Sequence, residues 1–186
     1  ITRGSKESIF SDLNNLDVIT MTSEEYAAAF GFTEEEVFRA LDDAGLGAEK
    51  QEVKRWYDGF TFGACTDIYN PWSITSFIGK KGRYDAYWAN TGGNGLVSSL
   101  LQCGSPEVKK TMELLLQGKS FTAELDEQIV FNQLDGDENA VWSLLLATGY
   151  LKVLGTEMAD GGDVRYTLAL TNYEVERMFC KMVKGW

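Results

Sequence analysis

Residues Lys54 to Ser73 read K-R-W-Y-D-G-F-T-F-G-A-C-T-D-I-Y-N-P-W-S, and the rest of the chain is organised around them. They hold two of the five tryptophans, two tyrosines, two phenylalanines and one of the two prolines. Aromatic side chains bury large apolar areas, whereas glycine, asparagine and proline favour turns. This stretch therefore predicts a small aromatic core closed by tight turns.

The beginning of the stretch predicts the end of a helix. Val53, Trp56 and Tyr57 fall at helical spacing and share one face. Asp58 and Gly59 follow, and a glycine at that place can adopt the left-handed backbone that ends many helices. We therefore expect the helix to end at this aspartate-glycine pair.

The remainder predicts two short strands and a second helix. The residues in 60–62 alternate in polarity, and Ile68 and Tyr69 form a second extended piece. Asn70 and Pro71 then match a helix cap followed by proline at the first helical position. The free N–H groups of a helix start can bind a phosphate, although most capped helices bind nothing. Both interpretations, an ordinary cap and an anion site, stay open at this point.

The composition limits the chemistry that the chain can perform. There are 28 acidic and 17 basic residues, a net charge of −11, and no histidine. Such a surface repels phosphate backbones, so direct nucleic-acid binding is disfavoured. Without histidine, Ser–His and Cys–His nucleophile pairs and most transition-metal sites are excluded. Any chemistry must use carboxylates, lysine, arginine or a bound nucleotide with magnesium.

Cysteine usage and hydropathy predict a cytoplasmic protein without a membrane segment. Cys65, Cys103 and Cys180 are odd in number and far apart, which favours reduced thiols over a disulfide framework or a zinc site. The longest apolar run, 142–154, is interrupted and too short to span a bilayer. The first residue is Ile1 rather than methionine, so we expect a longer parent protein.

The pattern of helix and strand signals predicts a mainly α fold with small β elements, of the α+β class. Thr33 with Glu36 three residues later matches a capping box, and Ser105 before a proline matches another helix start. The order helix, strand, hairpin, strand, helix over residues 139–186 predicts a winged-helix-like unit. Its candidate recognition helix, 141–148, has no basic residue, so a packing role is favoured over DNA reading.

Residues 118–120 match only part of the pattern of a phosphate-binding loop. Gly118, Lys119 and Ser120 match the end of the nucleotide-binding loop, but Glu113 stands where its first glycine should be. A helix is also predicted before this segment, where a strand is required. A nucleotide loop at this position is therefore rejected.

Several blocks together resemble a predicted AAA-ATPase-like family of bacterial proteins, in which this region is followed by a PD-(D/E)XK nuclease-like domain. The most specific blocks are R-W-Y-D-G-F-x-F-G and Y-N-P-W-S-I, which carry Trp56, Tyr57, Asp58, Gly59 and Tyr69. Other matching blocks, in the order of the family, are at 5–16, 30–37, 87–91, 142–153 and 170–175. The resemblance covers nearly the whole chain.

The resemblance implies the C-terminal half of an ATPase region. Residues 1–21 would be the end of a truncated ATPase core, 22–138 a helical lid and 139–186 the winged-helix-like unit. The phosphate-binding loop and the magnesium-binding acidic strand would lie upstream, and the nuclease-like domain downstream. ATP and magnesium would therefore be cofactors of the full-length protein, with none bound tightly to this chain, which alone should not hydrolyse ATP.

The resemblance also implies a set of residues near the nucleotide. In related ATPases a proline-containing turn of the lid closes over the nucleotide. Here Asn70, Pro71 and Trp72 would form that turn, and Thr2, Arg3 and Lys6 would lie near the phosphates. The partners would be the upstream ATPase half and the downstream nuclease-like domain. An alternative is an acidic protein-interaction module with a degenerate ATPase half.

We expect Asn70→Ala and Arg3→Ala, each made in the complete protein, to weaken ATP affinity or turnover several-fold, because Asn70 is predicted in the turn that closes over the nucleotide and Arg3 near the phosphates. Calorimetric titration with ATP and a turnover assay measure the effect. Unchanged affinity and turnover in both variants would contradict the lid-turn assignment.

Overall fold

A computed structural model describes residues 29–91, 94–125, 138–158 and 164–184. Helices dominate these residues and two small three-stranded sheets accompany them, which confirms the predicted α+β class. The elements are α1 (Glu34–Asp43), α2 (Lys50–Tyr57), α3 (Pro71–Gly79), α4 (Gly95–Cys103), α5 (Pro106–Leu116), α6 (Glu138–Ala147), α7 (Tyr173–Lys184), β1 (Phe32–Thr33), β2 (Phe60–Phe62), β3 (Cys65–Tyr69), β4 (Phe121–Glu124), β5 (Leu151–Met158) and β6 (Val164–Leu170).

The described residues fall into two compact units. The first, called here the aromatic unit, comprises residues 29–91, 94 and 170–184. The second comprises 95–125, 138–158 and 164–169. The predicted winged-helix-like segment is thus divided, since its strands lie in the second unit and α7 in the first. The functional boundaries at residues 22 and 139 stay predictions.

The sheet of the aromatic unit has the order β1-β3-β2, with both pairs antiparallel. Phe32 of β1 pairs with Tyr69 of β3, and Phe60 of β2 pairs with Ile68. Gly31 lies so close to β3 that an added Cβ would be 2.7 Å from the carbonyl oxygen of Tyr69. A side chain at position 31 would therefore push the chain before β1 away from the sheet.

The helices of this unit begin where the cap signals predict. The side chain of Thr33 accepts from the backbone N–H of Glu36, whose carboxylate accepts in return from the N–H of Thr33 at 2.9 Å. Asn70 caps α3, with Pro71 at its first position. Both caps are local and depend on residues within one helical turn, which is why the pattern predicted them.

The aromatic core surrounds Tyr57, as the opening stretch predicts. The ring of Tyr57 lies 5.9 Å from that of Phe77, 6.2 Å from that of Tyr87 and 6.3 Å from that of Tyr84, measured between ring centres. Its hydroxyl donates to the carbonyl of Asp85 at 2.9 Å. Burial raises the pKa of Tyr57 above its ordinary value. Tyr57 thus combines a large apolar contact with one satisfied polar group.

A fully buried carboxylate, that of Glu174, joins α7 to this core. It accepts from the hydroxyl of Ser73 at 2.8 Å and from the backbone N–H groups of Trp88 at 2.6 Å and Ala89 at 3.2 Å. Burial raises its pKa, and these donors oppose the rise. The edge of Tyr173 also meets the ring of Trp56, with 4.8 Å between ring centres. These contacts explain why α7 belongs to the aromatic unit.

In the second unit, β6 lies between β4 and β5. Phe121 of β4 pairs with Leu168 of β6. The ring of Phe121 also packs against Trp142 of α6, with 4.8 Å between ring centres. Residues 140–146 of α6 are all buried, as a packing helix requires. No helix in the described part of the chain is both long enough and apolar enough to cross a lipid bilayer.

We expect Glu174→Ala to lower the free energy of unfolding by about 3 kcal/mol or more, because two buried donors and one part-buried donor lose their acceptor. Urea unfolding followed by circular dichroism measures the loss. The control is Glu35→Ala, since Glu35 pairs with Arg39 at the surface, and it should change stability by less than about 1 kcal/mol. Similar losses in the two variants would contradict the structural role of Glu174.

Candidate functional site

The Asn70–Trp72 turn presents an aromatic ring on a rigid base. Trp72 is 58% exposed, although the next residues, Ser73 and Ile74, are buried. Pro71 restricts the backbone at the first position of α3, and β3 ends one residue before the turn. The backbone that carries Trp72 is therefore restricted, while its indole is open to a ligand or partner.

The same geometry argues against a phosphate at the start of α3. The side-chain oxygen of Asn70 accepts from the N–H of Trp72 at 2.9 Å and, more weakly, from that of Ser73 at 3.4 Å. These are the N–H groups that would otherwise bind an anion. The exposed ring of Trp72 is thus better suited to an aromatic contact than the start of α3 is to a phosphate contact.

The other residues predicted near the phosphates, Thr2, Arg3 and Lys6, lie outside the described residues. The structure thus places Asn70, Pro71 and Trp72 together, and the contact between the two groups stays a prediction.

The aromatic residues of the W-Y-D-G block have a structural role. Trp56 and Tyr57 are buried, and the indole N–H of Trp56 donates to Glu52 at 3.0 Å. The helix α2 ends at Tyr57, because Asp58 is extended, and Gly59 follows with a φ of 108°. A positive φ favours glycine at that position, as the sequence predicts.

Asp58 belongs to a cluster that sequence analysis missed. The Lys54 cluster consists of Lys54, Glu34, Asp58 and Asp67. The ammonium of Lys54 contacts the carboxylate of Glu34, lies 3.2 Å from Asp67 and lies 3.8 Å from Asp58. One cation therefore faces three carboxyl groups from α1, the end of α2 and β3.

The three carboxyl groups do not have equal surroundings. Asp58 is only 8% exposed, and burial, followed by a hydrogen bond with Asp67, raises its pKa to about 7. Asp67 is near the surface, and its hydrogen bonds with Asp58, Thr66 and Lys54 lower its pKa. Asp67 also has a φ of 57°, a conformation that non-glycine residues adopt rarely. The cluster thus includes a β3 residue whose backbone is in the left-handed region.

Oxygens of Glu34, Asp58 and Asp67 lie within 4.8 Å of one another, a spacing at which carboxylates can hold a metal ion. However, the ammonium of Lys54 contacts the same carboxyl groups. A lysine in that place supplies the positive charge that a metal would bring. We therefore interpret the cluster as an ion-pair network rather than a metal centre.

The Lys54 cluster is connected to the Asn70–Trp72 turn through β3. The hydroxyl of Tyr69, the last residue of β3, donates to Glu34 at 3.2 Å. Burial raises the pKa of Tyr69, so its hydroxyl remains a donor at neutral pH. Because Asn70 follows directly, the cluster positions the strand end from which the turn begins.

Comparison with known proteins finds a distant relative of this chain. No family model matches the chain, and no solved structure matches it. An uncharacterized protein in the vnfD 5′ region of Azotobacter chroococcum mcd 1 is 28% identical over 180 residues, which cover 95% of this chain and 31% of that protein. The chain thus spans less than a third of its relative, whose name states no activity.

We expect Lys54→Met to lower the free energy of unfolding by about 1–3 kcal/mol, because three carboxyl groups lose their shared cation. The loss is smaller than for a fully buried pair, since the Lys54 side chain is 37% exposed. Urea unfolding at pH 7 measures it. Arg39→Met is the matched control, because Arg39 has a single exposed partner, and less than about 1 kcal/mol is expected there. A loss no larger than that of the control would contradict the network.

Proposed function

We propose that this chain is the lid and winged-helix portion of an ATPase of the AAA-ATPase-like family. The lid would close over ATP and magnesium that an upstream half of the protein binds, and it would relay the nucleotide state to a downstream nuclease-like domain. The chain alone would have no catalytic activity, because the phosphate-binding loop and the acidic metal ligand are not among its motifs.

The observation that supports this proposal best is the exposure of Trp72. An indole that is 58% exposed on a proline-restricted turn is ready to pack against a planar group. Stacking of an aromatic side chain on a nucleobase contributes about 1–3 kcal/mol. The Asn70 cap already occupies N–H groups of Trp72 and Ser73, so the phosphates would be bound by residues elsewhere.

The relay would act through the hairpin that precedes the turn. Gly59 and Gly63 have positive φ values of 108° and 54° at the two ends of β2. Glycine tolerates changes of backbone angle better than other residues, so these two positions can serve as hinges. Movement of Trp72 on nucleotide binding would be passed to this hairpin.

A second candidate is an acidic protein-interaction module. The net charge is −11, and Leu154, Met158 and Val164 are exposed on β5 and β6. Contiguous exposed apolar patches with a polar rim mark protein interfaces, and these three residues on two strands are the candidates for such a patch. In that case the ATPase half would be degenerate, and the surface would bind another protein or the nuclease-like domain.

We expect Trp72→Ala in the complete protein to weaken ATP binding about tenfold, the effect of losing one stacking contact. Calorimetric titration with ATP gives the affinity. The control is Leu96→Ala, which removes another exposed apolar side chain, on α4 of the second unit, and should leave ATP affinity unchanged.

Two outcomes would contradict the lid proposal. If the complete protein binds ATP and Trp72→Ala binds it equally well, Trp72 is not part of the site. If the complete protein binds neither ATP nor ADP, the nucleotide site is degenerate and the interaction module becomes the better description.

A further inference from the structure

Asp58 is the most buried member of the Lys54 cluster and the least well paired. Its Oδ1 atom is buried and has no hydrogen-bond partner among the described residues. Its Oδ2 atom is 3.8 Å from the ammonium of Lys54, beyond hydrogen-bond distance. Burial outweighs the backbone N–H of Gly59 and the charge of Lys54, which both favour the ionised form of Asp58. Burying an ionised carboxylate with few donors is costly, whereas a neutral carboxyl group is tolerated there.

Asp67, by contrast, is well supplied with donors. Its Oδ1 atom lies 3.2 Å from Lys54, and its Oδ2 atom accepts from the hydroxyl of Thr66 at 2.9 Å. An oxygen of Asp58 is within 4.8 Å of an oxygen of Asp67. Two carboxyl groups so close together favour a state in which one is ionised and the other keeps a proton.

We infer that the Asp58 carboxyl group keeps a proton in mildly acidic solution and donates it to the Asp67 carboxylate, and that loss of this proton destabilises the β2–β3 hairpin. With the proton present, one cation faces two carboxylates. Without it, the same cation faces three, and Asp58 repels the strand residue that it otherwise binds. The β3 segment from Asp67 to Tyr69, which leads into the Asn70–Trp72 turn, would then lose one of its attachments.

The other charged and ionisable groups around Asp58 come from three elements. Glu34 is on α1, Lys54 is on α2, and Asp67 and Tyr69 are on β3. The remaining strands of the sheet, β1 and β2, have no ionisable side chain. Lys54 is thus the cation of the cluster, and its contact with Glu34 is closer than its contact with Asp58.

The direction in which stability changes with pH follows from whether the folded or the unfolded state binds the Asp58 proton more tightly. The pKa of Asp58 is raised to about 7 in the folded protein, whereas the unfolded chain has the ordinary value of 3.8. Between these two pH values the folded protein binds the proton and the unfolded chain does not. The contribution of Asp58 to the free energy of unfolding therefore falls as the pH rises through this range, and it levels off above about pH 7.

The test compares Asp58→Asn with the unaltered full chain by thermal unfolding at pH 5 and pH 8.5. Asparagine is neutral at both pH values and can donate to Asp67 as the protonated carboxyl group does. We expect the melting-temperature advantage of the variant over the unaltered chain to be larger at pH 8.5 than at pH 5 by about 3 °C or more. Asp43→Asn, at an exposed position of α1, is the control and should show no such pH-dependent difference.

A variant that is less stable by the same amount at both pH values would overturn the inference, because Asp58 would then act as an ionised partner of Lys54. A carbon-13 NMR titration of the side-chain carboxyl groups of the unaltered chain gives a second readout. It does not depend on the stability of any variant. The Asp58 signal should titrate between pH 6 and 8, and a midpoint below pH 5 would also overturn the inference.

Discussion

Glu174 is a carboxylate with no exposure to solvent, and three hydrogen-bond donors make this position tolerable. The donors lie on α3 and on the segment at 88–89, which are 85 to 101 residues before Glu174 in the chain. A buried charge without such donors would cost several kcal/mol, on the order expected for an unpaired ion. The position of α7 over the aromatic core, with Tyr173 against Trp56, therefore depends on this one side chain being satisfied.

The Lys54 cluster positions β3, the strand that leads into the Asn70–Trp72 turn. It holds β3 through Asp67 and through Tyr69, which donates to Glu34. Glu174 holds the other side of the turn, since Ser73 is the donor that follows Trp72 by one residue. The exposed indole of Trp72 is thus bracketed by two polar networks, and this is the physical basis for treating the turn as a rigid contact point.

The two networks also limit what the turn can do. Asn70 uses N–H groups at the start of α3 for its own cap, so the helix end is not free to bind a phosphate. A planar partner for Trp72, such as a nucleobase, fits the proposed lid better than an anion does. The acidic composition agrees with a planar partner rather than an anion. A chain with a net charge of −11 is poorly suited to hold ATP phosphates without cations from elsewhere.

Local interactions could be predicted from the residues, and distant ones could not. The caps at Thr33 and Asn70, the end of α2 near Gly59 and the α+β class all follow from residues within a few positions of one another. Lys54 and Asp58, four residues apart, were the only local signal for the cluster. Its contacts with Glu34 and Asp67, the donors of Glu174 and the membership of α7 in the aromatic unit were set by tertiary packing. These contacts join residues that are far apart in the chain, and their energy depends on burial, which no short sequence pattern specifies.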